Sequence, residues 1–275
     1  MRRLLKADFK RFLTDKLFMI GCFVGLGLAF ITPLLLQSLE SLMGAIEEGV
    51  EITDLINARA FYFEAFSPMS DFGIVLAIFL AIIINRDFSY GTIRNKIING
   101  HKRREIYLSL FIVTFTIMAG LMLAYAFTTL GIGTLLTNYF KVYNIGKEIL
   151  LIFLSVIFAA FFFVTITAIL VFFSLAFKNV GVSIVLYLVM GFVFSIIYTV
   201  ATVGNAALES VDANTAIEYI FNFLTYINPF AQLQLLSSIL ELKLYEVVFI
   251  IFSQLAVIAI FLFGGIAIFN KRNLK

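Results

Sequence analysis

Residues 149–177 read ILLIFLSVIFAAFFFVTITAILVFFSLAF, a run without a single charged side chain, whose polar residues are Ser155, Thr165, Thr167 and Ser174. A helix crossing the hydrocarbon of a bilayer needs about 20 mostly apolar residues, because no water is available there to satisfy backbone N–H and C=O groups. This run exceeds that length, so it reads as a membrane span that tilts or projects beyond the bilayer. Working outward from it, five further runs of near-spanning length lie at 17–36, 68–84, 107–136, 180–203 and 247–269. The expected fold is therefore all-α and integral to the membrane, a six-helix transmembrane bundle forming a single domain over residues 1–275. Composition agrees: 62% of residues are hydrophobic and 13% charged, far from the makeup of a soluble domain, and the mean hydropathy is +1.05.

The run at 68–84 is short, yet Ser67, Pro68 and Asp71 offer a cap, a first-turn proline and an acid suited to a helix N-terminus. At the other extreme, the basic start and the long apolar run after it lack a small-residue cleavage site, so the first span is not a secretory signal. Residues 1–16 place Leu4, Leu5, Phe9, Phe12 and Leu13 on one helical face, with Arg2, Arg3, Lys6, Lys10 and Arg11 around the rest. That pattern describes an interfacial helix lying on an anionic leaflet, so membrane lipid is an expected partner. The lone Cys22 lies within the first span, has no internal disulfide partner and reads as packing. Gly21 and Gly25 form a small-xxx-small pair suited to close helix contact.

Charge sets the orientation. Of the 20 basic residues, sixteen lie before the first span, in the loop after the second, at Lys178, or after the last span, and Arg59, Lys141, Lys147 and Lys243 alone fall in the opposite loops. The positive-inside rule then places both termini in the cytoplasm of a multi-pass protein of the cell membrane. Acids follow the reverse trend, with Glu40, Glu47, Glu48, Glu51, Asp54, Glu64 and Asp71 in or beside the first outer segment and Glu209, Asp212, Glu218, Glu241 and Glu246 in the last. These belong to solvated loops, or to a vestibule that draws cations.

Several chemistries are missing. No Asp, Glu, Lys, Arg or His sits near the centre of any span, where ion-coupled carriers and proton relays place such residues. The single histidine, His101, lies in a loop, and neither a zinc motif nor a GxxxxGK[ST] phosphate loop occurs. The chain is expected to hold no cofactor or metal and to catalyse no reaction, so any energy for work arrives from a partner. No nucleic-acid partner is expected. Polar groups within the spans are mild, and the fifth span has the most: Tyr187, Ser195, Tyr198, Thr199 and Thr202 are the candidates for lining a route, against the plainer reading that they bond within their own helix.

The loop at 85–106 is the most patterned segment. Thr92 can cap a short helix running to about Asn99, Gly100 can end it in the left-handed conformation, and Ile93, Ile97 and Ile98 supply an apolar stripe. A two-turn helix is not stable alone in water, so it requires a docking surface, either the base of its own bundle or a groove on a separate protein. The sequence Asp87, Gly91-Thr92-Ile93-Arg94, Gly100 and Arg103 or Arg104, followed by Ile106-Tyr107, resembles the loop between the second and third spans of ABC-2 type transporter permeases. Asp87 stands where that family often has glutamate. Residues 214–240, with two apolar stretches too short to span and broken at Asn228-Pro229, are similar to the family's re-entrant segment between spans five and six.

The resemblance implies the permease subunit of an ATP-driven exporter, working with a second permease, identical or homologous, and two ATP-binding cassette subunits. ATP and magnesium would then be held by those partners. It also implies that the loop is a coupling helix inserted into the ATP-binding subunit, with Asp87, Gly91, Thr92, Ile93, Arg94, Ile97 and Gly100 forming the coupling site. Within it, Asp87 and Arg94 would give polar anchoring and Ile93 and Ile97 the apolar plug. An ATP-independent channel or lipid-handling bundle is the alternative, and it would be active without a partner.

Overall fold

The computed structural model describes residues 1–46, 58–136, 145–177, 179–209 and 216–271. Its helices are α1 (Arg2–Thr14), α2 (Lys16–Ile46), α3 (Ala58–Glu64), α4 (Asp71–Ser89), α5 (Thr92–Ile98), α6 (Arg103–Leu136), α7 (Ile145–Ala176), α8 (Val180–Glu209), α9 (Ala216–Ile227), α10 (Gln232–Ser237) and α11 (Leu244–Lys271). Among the described residues no strand occurs. Six helices, α2, α4, α6, α7, α8 and α11, are long and apolar enough to cross a membrane, as the hydropathy pattern requires. Glu47 to Asp54, Lys141, Lys178, Asp212, Arg272 and Lys275 lie outside the described residues, as do the side chains of Glu40 and Glu209.

The second span differs most from the sequence expectation. Ser70, not Ser67, is its N-cap: Ser70 Oγ accepts from the Gly73 amide at 3.1 Å, while Ser67 and Pro68 form the preceding turn, closed by Ser70 Oγ donating to the Ser67 carbonyl at 2.7 Å. At its other end α4 runs on to Ser89, so Asn85, Arg86 and Asp87 are helical rather than loop residues. That extension carries Asp87 to the base of the bundle on a rigid element.

The interior is built on α4, α6 and α7, with α2, α8 and α11 packed around them. These outer helices leave apolar faces outward. On α8 the face is Val182, Val185, Val189, Phe192, Ile196, Val200 and Val203, at helical spacing. A continuous apolar face of this size is covered by lipid or by another subunit. Gly21 and Gly25 of α2 do not meet a helix backbone; they receive the rings of Phe79 and Phe72 from α4, so that a Cβ at Gly21 would lie 2.9 Å from Phe79 Cδ2. The small residues thus admit two aromatic side chains rather than a close backbone crossing.

At the end away from the termini, α3 is wedged between α6 and α7. Tyr62 makes an edge contact with Phe66 at 4.9 Å between ring centres, and its hydroxyl shares a 2.9 Å hydrogen bond with Ser155 Oγ. The short helices α9 and α10 flank Asn228-Pro229, where the sequence placed the break. Asn228 is fully buried: its Nδ2 donates to the Phe194 carbonyl at 2.7 Å and its Oδ1 accepts from the Phe230 amide at 2.8 Å. The side-chain amide thereby satisfies the Phe230 amide just past the break and ties the break to α8.

Candidate functional site

The connection from α4 through α5 to α6 is built on two positive-φ glycines. Gly91 (φ 67°) turns the chain out of α4 and is the N-cap of α5, so Thr92 is the first helical residue and not the cap. Gly100 (φ 84°) closes α5 as the spacing predicted. The amide of His101 donates to the Lys96 carbonyl at 3.1 Å and that of Gly100 to the Ile97 carbonyl at 2.9 Å, which is the paired bonding of a Schellman motif. Together these bonds make seven residues into a defined helix with an abrupt end.

What holds α5 to the bundle is a buried ion network that it shares with α1 and α4. Lys96 Nζ donates to Asp8 Oδ1 at 2.6 Å and lies 3.6 Å from Asp87 Oδ2, and Arg11 Nη1 donates to Asp87 Oδ1. Asp8 also accepts from Ser109 Oγ of α6 at 2.7 Å, with Arg11 Nη2 at 3.9 Å. Both carboxylates are almost fully enclosed. Two acids and two bases balance, so the network buries no net charge. A second pair beside it joins Arg86 of α4 to Asp15, 3.2 Å from each carboxylate oxygen. Asp15 is also the break between α1 and α2: its backbone is extended and its Oδ1 accepts from the Leu17 amide at 2.8 Å.

Burial lowers the pKa of both cations. The Arg11 guanidinium is pushed down by desolvation, against the pull of Asp8 and then Asp15. Lys96 is likewise lowered first by desolvation, which Asp8 opposes through its charge and hydrogen bond and Arg11 reinforces. Removing one member of the network leaves an unmatched charge indoors.

Sequence and structure differ on which side of α5 is free. Ile93 is buried in the chain's own core, Ile97 is half-buried against it, and Ile98 is 70% exposed. Five residues of helix turn the chain through about 500°, which puts Ile98 well around the helix from Ile93 and splits the expected stripe. Arg94, Asn95 and Asn99 are exposed on the same side as Ile98, with Tyr90 of the preceding turn 74% exposed beside them. Of the polar anchors expected from the sequence, Arg94 is outward and Asp87 is committed inward to Arg11 and Lys96. Asp8, Arg11, Lys96 and Ser109 were not singled out beforehand. The available signal was Asp8, an acid in the same i, i+4 row as Leu4 and Phe12 of an otherwise basic helix.

The sequence profile of the family described as ABC-2 family transporter protein matches residues 2–274. The chain belongs to this ABC-2 transporter family. No curated protein and no solved structure matches it. An ABC-2 protein is the membrane component of a transport system and not itself a catalyst.

In this ABC-2 protein the candidate route-lining residues of α8 are spread around the helix. Tyr187 is buried, its ring 6.0 Å from that of Phe230, while Ser195 and Tyr198 are half-buried and Thr199 is exposed. Thr199 and Thr202 donate to carbonyls of their own helix, at Ser195 and Thr199, both at 3.0 Å. Thr202 alone of the five borders an opening of about 330 Å³, together with Asn205, Asn222, Thr225, Tyr226 and Ser238. Asn205 Nδ2 donates to Asn222 Oδ1 at 2.8 Å, and the Tyr226 hydroxyl donates to Glu246 at 2.9 Å. The opening lies between α8, α9 and α10, at the end of the bundle opposite the ion network.

Proposed function

We propose that this chain is the permease subunit of an ATP-driven exporter and that α5 is its coupling helix. In this reading both termini face the cytoplasm, two ATP-binding subunits hold ATP and magnesium, and a second permease, identical or homologous, covers part of the apolar surface of the outer helices. The face of α5 that docks on the ATP-binding subunit is Tyr90, Arg94, Asn95, Ile98 and Asn99, with Ile98 as its apolar centre.

One observation carries the proposal: α5 is anchored by buried ions on one side and presents an isoleucine to the outside on the other. Leaving Ile98 uncovered forgoes about 1.5–3 kcal/mol of burial, so the position suits a surface that is covered in an assembly. Movement of a docked partner would be transmitted directly, because Lys96, Asp87, Arg11 and Asp8 tie α5, α4 and α1 together, and Ser109 adds α6. Two packings of that unit against the rest of the bundle, favoured by different nucleotide states of the partner, would constitute the transport cycle.

Ile98→Asp tests the proposal. The exposed site tolerates the change, so the variant should reach the membrane and unfold at the normal temperature, yet lose copurification of the ATP-binding subunits and substrate-stimulated ATP hydrolysis in the reconstituted complex. Full retention of both would show that α5 is an ordinary connector.

A further inference from the structure

A second apolar surface lies beside the ion network, and its chemistry names a different partner. Helix α1 presents three adjacent rows at i, i+4 spacing. The row Leu4, Asp8 and Phe12 is buried in the bundle; the next row, Leu5, Phe9 and Leu13, floors an open groove against Ile112 and Val113 of α6; the third, Lys6, Lys10 and Thr14, forms its rim. The groove encloses about 640 Å³. Both lysines are exposed, and among the described residues neither has a carboxylate partner. Thr14 is already engaged, its hydroxyl donating to the Lys10 carbonyl at 2.9 Å.

Depth follows from length. Helix α6 has 34 residues, so it measures about 51 Å, against roughly 30 Å of hydrocarbon. About 10 Å at each end then stands outside the hydrocarbon if the helix is centred, and Ile112, nine residues into α6 and about 14 Å along it, lies just within the boundary. The groove therefore has an apolar floor entering the acyl region and two ammonium groups at headgroup level. A zwitterionic lipid would leave that pair of charges unmatched, whereas an anionic phospholipid matches both parts.

We infer that the groove between α1 and α6 holds one anionic phospholipid, its acyl chain along Leu5, Phe9, Leu13 and Ile112 and its phosphate between Lys6 and Lys10. This does not rest on the direction of transport or on the docking of α5. Because α1 also carries Asp8 and Arg11, the bound lipid braces the helix that helps anchor α5.

The test uses the full-length protein in nanodiscs of phosphatidylcholine containing a minority of phosphatidylglycerol of the same chain length, with retained lipid identified by native mass spectrometry on release. Phosphatidylglycerol should be retained in preference to phosphatidylcholine. Each lysine near an anionic surface contributes about a fivefold gain, so Lys6→Gln with Lys10→Gln should weaken retention roughly 25-fold. Leu13→Trp, which fills the groove and leaves the lysines in place, should also remove it, and the exposed control Lys102→Gln should not. Equal retention of the two lipids would overturn the inference. So would preferential retention that survives both the lysine pair and the filled groove, since the lipid would then lie elsewhere.

Discussion

The two ends of the bundle solve the same problem, holding short helices to long ones, with charge clustered at one end and dispersed at the other. At the end that carries α1 and α5, four charged side chains meet at one contact, the two carboxylates almost fully buried. At the other end, α9 and α10 are fixed mostly by amides and hydroxyls, from Asn228, Asn205, Asn222 and Ser253, with two separate charged contacts, Tyr226 donating to Glu246 and Arg59 donating to the Ser237 carbonyl while lying 3.8 Å from Glu148, beside an opening of about 330 Å³. Buried ions demand one geometry, because any shift unmatches a charge; neutral hydrogen bonds can exchange partners with water or with a passing solute. The contrast suits a bundle in which the end with the clustered ions moves as a rigid block.

The largest expected effect breaks the charged end. Asp87→Ala leaves Arg11 with Asp8, at 3.9 Å, as its nearest carboxylate among the described residues and removes the second acid near Lys96, and stripping one partner from a buried pair costs about 3–5 kcal/mol. Arg11 keeps some exposure, which places the expectation at the lower end of that range. Thermal unfolding in detergent should show a clearly lowered midpoint, and a midpoint unchanged from the parent would mean that the network does not hold α5.

A smaller effect belongs to the other end. Asn228→Ala removes the bonds that a fully buried side chain makes to the Phe194 carbonyl and the Phe230 amide, and should lower stability by about 2 kcal/mol in the same assay. A loss matching that of Asp87→Ala would erase the distinction between the ends. Smallest is Thr202→Val, which keeps the shape of a cavity wall and deletes only a hydroxyl bonded within its own helix. It should change stability by less than about 0.5 kcal/mol. A large loss would mark that wall as part of the structural core.

The spans were legible because a bilayer imposes length and apolarity on every crossing, and the ends of α6, α7 and α11 fall within a few residues of the hydropathy runs. Gly100 was legible for a local reason, since a helix that must stop sharply uses a left-handed residue. The role of Asp87 was not. Its partner Arg11 lies 76 positions away, and a single sequence does not say which basic residue of α1 faces inward. Which side of α5 faces the bundle was not legible: helix geometry sets Ile98 about 140° from Ile93, and burial shows that Ile93 is the enclosed one. The polar opening escaped notice because its walls come from α8, α9 and α10, and only Thr202 lay in a span rich enough in hydroxyls to attract attention.

Site-directed cross-linking within the assembled transporter tests the central claim most directly. In a Cys22→Ser background, Ile98→Cys and Ile93→Cys would each carry a short photoactivatable label, and the complex would be irradiated with its ATP-binding subunits in place. The account predicts a cross-link from position 98 to an ATP-binding subunit and, because Ile93 is enclosed by its own chain, none from position 93. No cross-link from position 98, or equal yields from the two positions, would contradict it.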